Sequence, residues 1–195
     1  MRFAYCLLPM LFGLCQTALA GGVPAQVSVC FVPASECDTA VTAAIRDARV
    51  NIRVQAYGFT APAILRELAA ARARGVDVQA ILDKTNDSAD RPGHRPHHGG
   101  AAFTLGANIP TWIDDTVSIA HNKVIIIDDH LVVGGSYNYT VSAERHNAEN
   151  VTFTDSPDLA ALYRTNWESR KAVSRPAHLD DAAERAVIAS ELDRN

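Results

Sequence analysis

Residues 121–138 have the sequence HNKVIIIDDHLVVGGSYN, in which two apolar runs flank a short polar break at residues 128–130. Valine- and isoleucine-rich runs on either side of a turn-forming segment are typical of a β-hairpin. The stretch therefore predicts two antiparallel strands joined by a tight turn, and the rest of the chain is organised around them.

The register of this hairpin decides which side chains meet. If Asp129 and His130 form a two-residue loop, two pairs of polar residues face each other: Lys123 with Ser136, and His121 with Asn138. Residues two apart in a strand share a face, and opposed side chains lie within about 5 Å at Cβ. We therefore expect one polar cluster. Asp128 is five residues from Lys123, so its side chain points to the opposite face of the strand, and it lies at the turn. We therefore expect it to hold the turn or a neighbouring charge and not to contact a substrate.

The composition of the cluster favours chemistry on an anion. A histidine, with a reference pKa of about 6.5, can act as a nucleophile or as a general acid near neutrality. The lysine, serine and asparagine side chains are hydrogen-bond donors, and no acidic metal ligand accompanies them. Donors around a nucleophile suit a phosphoryl group, which gains charge in the transition state. The alternative is a surface hairpin with scattered polar residues.

The same residues resemble the HKD signature of the phospholipase D superfamily. The signature positions in this chain are His121, Lys123, Asp128, Gly135, Ser136 and Asn138. Two further runs, QAYGFT at 55–60 and NAEN at 147–150, resemble the small, single-motif bacterial endonuclease branch. The similarity covers about residues 26–172, and Asp129 stands where glycine is common in this turn.

This resemblance implies a fold, a chemistry and a partner. The fold would be a mixed β-sheet flanked by helices, with a single HKD motif per chain. The chemistry of the superfamily uses two histidines, yet the chain contains no second His-x-Lys. A homodimer would therefore complete the active site, without a metal or other cofactor. In that site Lys123, Ser136 and Asn138 would hold the non-bridging oxygens of the substrate.

By the same resemblance, Glu149 lies beside His121 and orients its ring. A carboxylate bound to one ring nitrogen fixes the tautomer and leaves the other nitrogen free to attack. The alternative for Glu149 is an ordinary carboxylate at the edge of a strand.

The first 20 residues have the three-part pattern of a secretory signal peptide. Arg2 is their only charge, the centre is apolar, and Ala18-Leu19-Ala20 precedes the expected cleavage site. We expect a periplasmic or secreted protein with a nuclease-like domain at 21–172 and a helical extension at 173–195. The alternative, a membrane anchor, requires about 20 spanning residues, and the apolar run is shorter.

Cysteine usage agrees with export. Cys6 and Cys15 leave with the signal peptide, so Cys30 and Cys37 remain, and in an oxidising compartment we expect them to form a disulfide. Two buried free thiols are the alternative.

The formal net charge of −4 counts against non-specific nucleic-acid binding, although an acidic protein can carry a local basic groove.

The order of the upstream elements predicts an α/β fold. Strand patterns at 26–33, 50–59 and 76–82 alternate with two amphipathic helix patterns, which begin near Ser35 and Thr60. We expect these two residues to cap the helices, Ser35 together with Asp38 as a capping box. Strands that alternate with helices indicate an α/β layer structure.

The segment from Lys84 to Gly100 is polar and contains His94, His97 and His98. Three histidines in five residues suggest a metal site, but no cysteine or suitably spaced carboxylate completes one, so we expect a solvated loop and no metal. Lys84 and Asn86 follow the carboxyl end of a strand, where α/β proteins tend to place their sites. We therefore expect both residues to contact the substrate.

Three functions fit these observations. The first is an exported, metal-independent nuclease that acts on DNA, RNA or both and has little sequence preference, because no base-reading element is visible. The second is a phospholipase D or lipid phosphotransferase with the same chemistry, of which an exposed apolar lip or interfacial helix would be the sign. The third is a non-catalytic binding protein of the same fold, and the intact cluster argues against it.

Overall fold

The computed structural model of the protein describes residues 22–87 and 100–178. The predicted signal peptide, the three histidines of the 84–100 segment and most of the predicted C-terminal helix lie outside the described residues.

The described residues form eight strands and five α-helices, joined in places by short turns. The strands are β1 (Gln26–Val32), β2 (Asn51–Ala56), β3 (Asp77–Asp83), β4 (Thr111–Asp114), β5 (Lys123–Ile127), β6 (Leu131–Gly135), β7 (Glu149–Asp155) and β8 (Arg175–Pro176). The helices are α1 (Cys37–Asp47), α2 (Pro62–Ala73), α3 (Gly100–Gly106), α4 (Val141–His146) and α5 (Pro157–Val173). Within these two ranges, no helix is both long and apolar enough to cross a membrane.

All eight strands belong to one mixed sheet, with the order β1-β7-β6-β5-β2-β3-β4-β8. The pairs β2–β3 and β3–β4 are parallel, because a helix crosses over between the two strands of each pair. The strands β5, β6 and β7 form an antiparallel meander, and β1 pairs with β7 at one edge. The predicted α/β fold with a mixed sheet flanked by helices is confirmed.

Helices cover the two faces of the sheet unequally. Helices α1 and α2 pack on one face and form the main core with the inward residues of β2 and β5, such as Val54 and Ile125. The other face carries α5, whose Trp167 is fully buried against Ile126 and Val132 and donates a hydrogen bond of 2.9 Å from Nε1 to the Val54 carbonyl. Trp167 is therefore a core residue on this face of the sheet.

The hairpin is present, but the predicted register is wrong. Ile127 pairs with Leu131 and Val124 with Gly134, so the loop has three residues and the pairing is shifted by one. Asp128 and Asp129 adopt the left-handed conformation, with φ of 51° and 57°, which aspartate tolerates better than most residues. Lys123 consequently does not lie opposite Ser136.

Asp128 holds the turn against β2, as expected. Its carboxylate accepts hydrogen bonds from the backbone N–H groups of Arg49, Val50 and Asn51 at 2.8, 2.7 and 3.0 Å. Burial opposes ionisation of this carboxyl, but the three hydrogen bonds outweigh it and hold the pKa of Asp128 below its usual range. Asp128 is therefore bound to the scaffold and not directed at a substrate.

The predicted side-chain caps of the first two helices are wrong. Glu36 precedes α1 and Ala61 precedes α2, and neither makes a side-chain capping bond. The predicted disulfide between Cys30 and Cys37 is present and ties β1 to α1. A side-chain cap is found at α5, where the Ser156 hydroxyl accepts from the Leu159 N–H.

We predict that Asp128→Ala lowers the free energy of unfolding by about 2–3 kcal/mol, because three backbone N–H groups lose a charged acceptor. Asp128→Asn should lie between this variant and the wild type, and Asp47→Ala, at an exposed helix end, is the control. Urea unfolding monitored by circular dichroism measures the differences.

The same variants have an expected pH dependence. A carboxyl with a depressed pKa stabilises the fold fully above its unfolded pKa of about 3.9, and that stabilisation is lost as the pH falls through the folded pKa. The stability gap between wild type and Asp128→Asn should therefore narrow below about pH 4. A gap that stays constant down to acid unfolding would contradict this role of the charge.

Candidate active site

The candidate site forms where β2 ends and β5 begins. Ala56, the last residue of β2, pairs with Lys123, the first residue of β5, and the Tyr57 N–H donates to the Asn122 carbonyl at 2.9 Å. The segment after β6 returns to the same end of the sheet, where Phe59 and Tyr139 form an isolated bridge. Three chain segments that are distant in sequence thus meet around His121.

The His121 side chain is exposed to solvent, and its ring packs against the ring of Tyr57. The ring centroids are 4.7 Å apart and the planes are inclined by 58°. Within the described parts of the chain, no side chain or backbone group makes a hydrogen bond to the imidazole. The ring is therefore restrained on one side while its nitrogens remain accessible to a substrate.

The Lys123 side chain, in contrast, is buried, with 6% of the residue exposed. Its Nζ donates to the His121 carbonyl at 3.0 Å and lies 5.4 Å from the centroid of the Tyr57 ring. Burial lowers the pKa of Lys123, and the charge of Glu149 acts in the opposite direction. An ammonium at this position is weakly hydrated, so its positive charge would act strongly on an anion placed beside His121.

Ser136 and Glu149 form a second part of the site. The Ser136 hydroxyl donates to the Glu149 carboxylate and accepts from the backbone N–H of Asn150 at 3.1 Å. The other carboxylate oxygen of Glu149 accepts from Asn147 Nδ2 at 2.8 Å. In the described residues the carboxylate thus binds Ser136 and Asn147, and the hydrogen bond to His121 that the resemblance implies is not among its contacts.

Asn138 is placed by close packing against Gly58. A Cβ atom at Gly58 would come within 3.1 Å of both Asn138 Cβ and Thr140 Cγ2, so any other residue would push these neighbours away. The Oδ1 atom of Asn138 is buried and has no hydrogen-bond partner among the described residues. Gly58 therefore keeps the amide of Asn138 close to the backbone of the Tyr57 segment.

The two predicted substrate-binding residues differ in their placement. Asn86 is only 4% exposed, and its Nδ2 donates to the Tyr57 carbonyl at 2.6 Å, so direct contact between Asn86 and a substrate is not supported. The Lys84 side chain is partly exposed, and its Nζ donates to the Val117 carbonyl at 3.1 Å. Contact between Lys84 and a substrate stays a prediction.

Tyr57 is the site residue that the sequence did not single out. It occurs in the QAYGFT run, where nothing local distinguishes it from other aromatic residues at the end of a strand. Its contacts with His121 and Lys123 follow from the pairing of β2 with β5, which are about 70 residues apart in the chain. Only a correct sheet order could have identified it.

A shallow depression of about 260 Å³ adjoins His121 and Lys123. It crosses β5, β6 and β7 towards α5, where Leu159 and Tyr163 line its far side. Within residues 22–87 and 100–178, no group of three or more histidine, cysteine, aspartate or glutamate side chains is arranged to hold a metal ion.

Comparison with known proteins identifies relatives of this chain. The family described as cardiolipin synthase, PLD-like domain, matches residues 41–171. A protein from Rickettsia prowazekii named phospholipase D is 39% identical over 153 residues, which cover 78% of this chain and 71% of that protein. A mitochondrial cardiolipin hydrolase from Xenopus laevis is 27% identical over 121 residues, which cover 62% of this chain and 54% of that protein.

Two solved structures share the fold. The crystal structure of a phospholipase D family member, Nuc from Salmonella typhimurium, superposes with a TM-score of 0.71 and 33% identity, covering 80% of this chain and all of that chain. NucT from Helicobacter pylori superposes with a TM-score of 0.64 over 78% of this chain and 99% of that chain. At 22% identity, the second similarity concerns the fold alone.

The contribution of Glu149 to the charge of Lys123 leads to a prediction for Glu149→Gln. Because the carboxylate raises the pKa of Lys123, its neutralisation should lower that pKa further. If catalysis needs the charged ammonium, the alkaline limb of the pH–rate profile should move to lower pH.

The profile is measured on bis(p-nitrophenyl) phosphate, a generic phosphodiester. Glu168→Gln, an exposed glutamate on α5, is the matched control and should leave the limb in place. An unchanged alkaline limb in Glu149→Gln would show that the carboxylate does not support the charge of Lys123.

Proposed function

The chain belongs to the phospholipase D superfamily and is a phosphodiesterase, and we propose that it is an exported endonuclease that acts through a phosphohistidine at a homodimer interface. The observation that carries the proposal is the exposed imidazole of His121 beside the buried ammonium of Lys123. An accessible nucleophile next to a weakly hydrated cation suits attack on the phosphorus of a phosphodiester anion.

The proposed reaction has two displacements. In the first, a nitrogen of His121 forms a bond to phosphorus, the bond to the leaving oxygen breaks, and His121 of the second subunit donates a proton to that oxygen. In the second, the deprotonated His121 of the second subunit takes a proton from water, the water oxygen bonds to phosphorus, and the phosphorus–nitrogen bond breaks. Both histidines then return to their starting protonation states.

The donor residues of the cluster would stabilise the charge that develops in each step. The Lys123 ammonium, the Ser136 hydroxyl and the Asn138 amide surround the position of the non-bridging oxygens in this proposal. In the substrate-free site the Ser136 hydroxyl donates its one proton to Glu149, so it must exchange that hydrogen bond for one to a non-bridging oxygen when the substrate binds. The positive charge comes from lysine, and we propose that no metal is required.

An uncovered part of the sheet supports the proposed dimer. On the α5 side, the edge strand β1 exposes a row of apolar side chains: Val27 at 62%, Val29 at 50% and Phe31 at 54%. Val29 pairs with Thr152, and Val27 with Thr154, and both threonines line the depression that reaches His121. Contiguous exposed apolar residues mark interaction surfaces. A two-fold contact through this surface would bring two copies of His121 towards each other.

The disulfide supports the proposed export. Cys30–Cys37 is a structural bridge at the edge of the sheet, and such bridges persist in oxidising compartments outside the cytosol. We propose that residues 1–20 are removed as a signal peptide and that the mature nuclease domain, 21–172, acts in the periplasm or outside the cell.

A second candidate, hydrolysis of phospholipids, is favoured by one specific observation. Ile119 and Val117 precede His121 and are 58% and 38% exposed, so an apolar lip borders the site. An apolar lip is what a phosphodiesterase needs to reach head groups at a membrane surface. Relatives from Rickettsia also carry the name phospholipase D.

We predict that the mature protein cleaves plasmid DNA in the presence of excess EDTA and that His121→Ala abolishes this activity. Loss of the proposed nucleophile should cost at least about a thousandfold in rate, because the covalent intermediate forms on this side chain. His178→Ala replaces an exposed histidine next to β8 and should cleave like the wild type.

The other outcomes separate the candidates. Cleavage that persists in His121→Ala would assign the activity to another site or to a contaminant. If neither protein cleaves nucleic acid but the wild type releases choline from phosphatidylcholine vesicles, the phospholipid function replaces the nuclease function. Loss of cleavage in EDTA that is restored by a divalent ion would contradict the metal-independent mechanism.

The shared active site predicts how mixed dimers behave. When wild-type and His121→Ala subunits are mixed by reversible unfolding, only the wild-type pair has both histidines. Activity should follow the square of the wild-type fraction, so about a quarter remains at equal amounts. Activity proportional to the wild-type fraction, with about half remaining, would show that each subunit works alone.

Substitution of Phe31 tests whether the exposed row of apolar residues on β1 forms the dimer interface. Phe31→Glu should shift the protein to monomers in sedimentation velocity and lower its activity in parallel, because a charge is buried at the interface. Val50→Glu changes an equally exposed apolar residue outside the β1 row and should remain dimeric. A variant that sediments as a monomer and keeps full activity would contradict an active site shared between two subunits.

A further inference from the structure

We propose that Tyr57 is a positioning residue that holds the imidazole of His121 and the ammonium of Lys123 in their reactive arrangement. The inference rests on the proposed roles of these two residues in phosphoryl transfer. It does not depend on whether the phosphodiester belongs to a nucleic acid or to a lipid.

One aromatic ring contacts both proposed catalytic groups. The Tyr57 ring lies 4.7 Å from the His121 ring between centroids, and the Lys123 Nζ lies 5.4 Å from the same Tyr57 centroid. The two groups are also linked directly, because Lys123 Nζ donates to the His121 carbonyl. The Tyr57 ring therefore contacts both the imidazole of His121 and the ammonium of Lys123.

The backbone of Tyr57 is held from two sides. Its N–H donates to the Asn122 carbonyl at 2.9 Å, which joins it to the strand that carries the catalytic residues. Its carbonyl accepts from Asn86 Nδ2 at 2.6 Å, and the same amide also donates to the Asp83 carbonyl at 3.2 Å. Because Asn86 is buried, its amide is a rigid support, and the fold thereby determines where the ring stands.

The ring compensates in part for the burial of Lys123. A buried ammonium loses water, which disfavours its charged form. The face of an aromatic ring is negative and attracts a cation within about 6 Å, most strongly where water is excluded. Tyr57 thus favours the charged form of Lys123, together with the field of Glu149.

The ring also limits the orientations of His121. An exposed imidazole without a hydrogen-bonded partner would rotate freely about its side-chain bonds, and attack on phosphorus requires one aligned nitrogen. Contact with the Tyr57 ring removes part of that freedom before the substrate binds. The Tyr57 ring, 4.7 Å away between centroids, also stabilises the imidazolium that forms when His121 serves as the acid.

The proposal assigns the effect to the ring and not to the hydroxyl. Tyr57→Phe and Tyr57→Trp keep an aromatic face, whereas Tyr57→Leu and Tyr57→Met fill similar space without one. On bis(p-nitrophenyl) phosphate, we expect Tyr57→Phe to stay within about threefold of the wild-type kcat and both aliphatic variants to lose about 10- to 100-fold, with smaller changes in KM. Two aliphatic variants are included so that a folding failure of one leaves the other.

A second measurement follows Lys123 without turnover. In the mature protein, the ¹³Cε resonance of Lys123 is titrated by NMR in the wild type and in each variant. We expect the pKa of Lys123 to fall by about 0.5 to 1 unit in Tyr57→Leu and Tyr57→Met and to stay in place in Tyr57→Phe. A purely structural role for Tyr57 would lower stability and kcat and leave this pKa unchanged.

The outcomes separate this inference from the proposed function. Loss of activity in Tyr57→Phe equal to that in Tyr57→Leu, or an unchanged Lys123 pKa in both aliphatic variants, would overturn the role of the ring. If the wild type hydrolyses the generic diester but no nucleic acid, the nuclease function fails while the variant series still tests Tyr57. If the wild type is inactive on every diester, the proposed function fails, and the NMR titration still tests whether the Tyr57 ring supports the charge of Lys123.

Discussion

The antiparallel pairing of β2 with β5 is the interaction on which the rest of the structure depends. It joins the parallel half of the sheet to the antiparallel meander, and it runs from Ile52–Ile127 to Ala56–Lys123. At one end, the Asp128 carboxylate accepts hydrogen bonds from three backbone N–H groups at the start of β2, which locks the register. At the other end, the same register brings Tyr57 next to His121. A slip of one residue would turn Lys123 to the opposite face of the sheet.

Much of this arrangement could be predicted from sequence because it is local. Hydrophobic alternation indicated the strands and helices, the spacing of two cysteines indicated the disulfide, and the motif around His121 indicated the chemistry. The hairpin register was wrong because the tight turn is formed by Asp128 and Asp129, both at positive φ, and not by Asp129 and His130, so His130 becomes a third loop residue. The site contacts of Tyr57 and the buried position of Asn86 were missed because both depend on contacts between segments that are distant in sequence but adjacent in the fold.

In the proposed mechanism, the chemistry of the site and the choice of substrate reside in different parts of the molecule. The cluster around His121 would recognise a phosphodiester, which nucleic acids and phospholipids share. Selection between them would depend on the surroundings of the cluster: the apolar lip at Ile119, the depression beneath α5 and the surface that the second subunit would cover. Such a division would explain why relatives named phospholipase D and a structure named Nuc share one fold with this chain.

The stereochemistry at phosphorus tests the covalent mechanism most directly. A phosphorothioate diester of one configuration is hydrolysed by the mature protein in heavy-oxygen water, and the configuration of the product is determined by ³¹P NMR. Attack by His121 followed by attack of water consists of two in-line displacements, each with inversion, and therefore predicts net retention. Net inversion would show that water attacks the phosphodiester in a single step, and it would contradict a phosphohistidine intermediate.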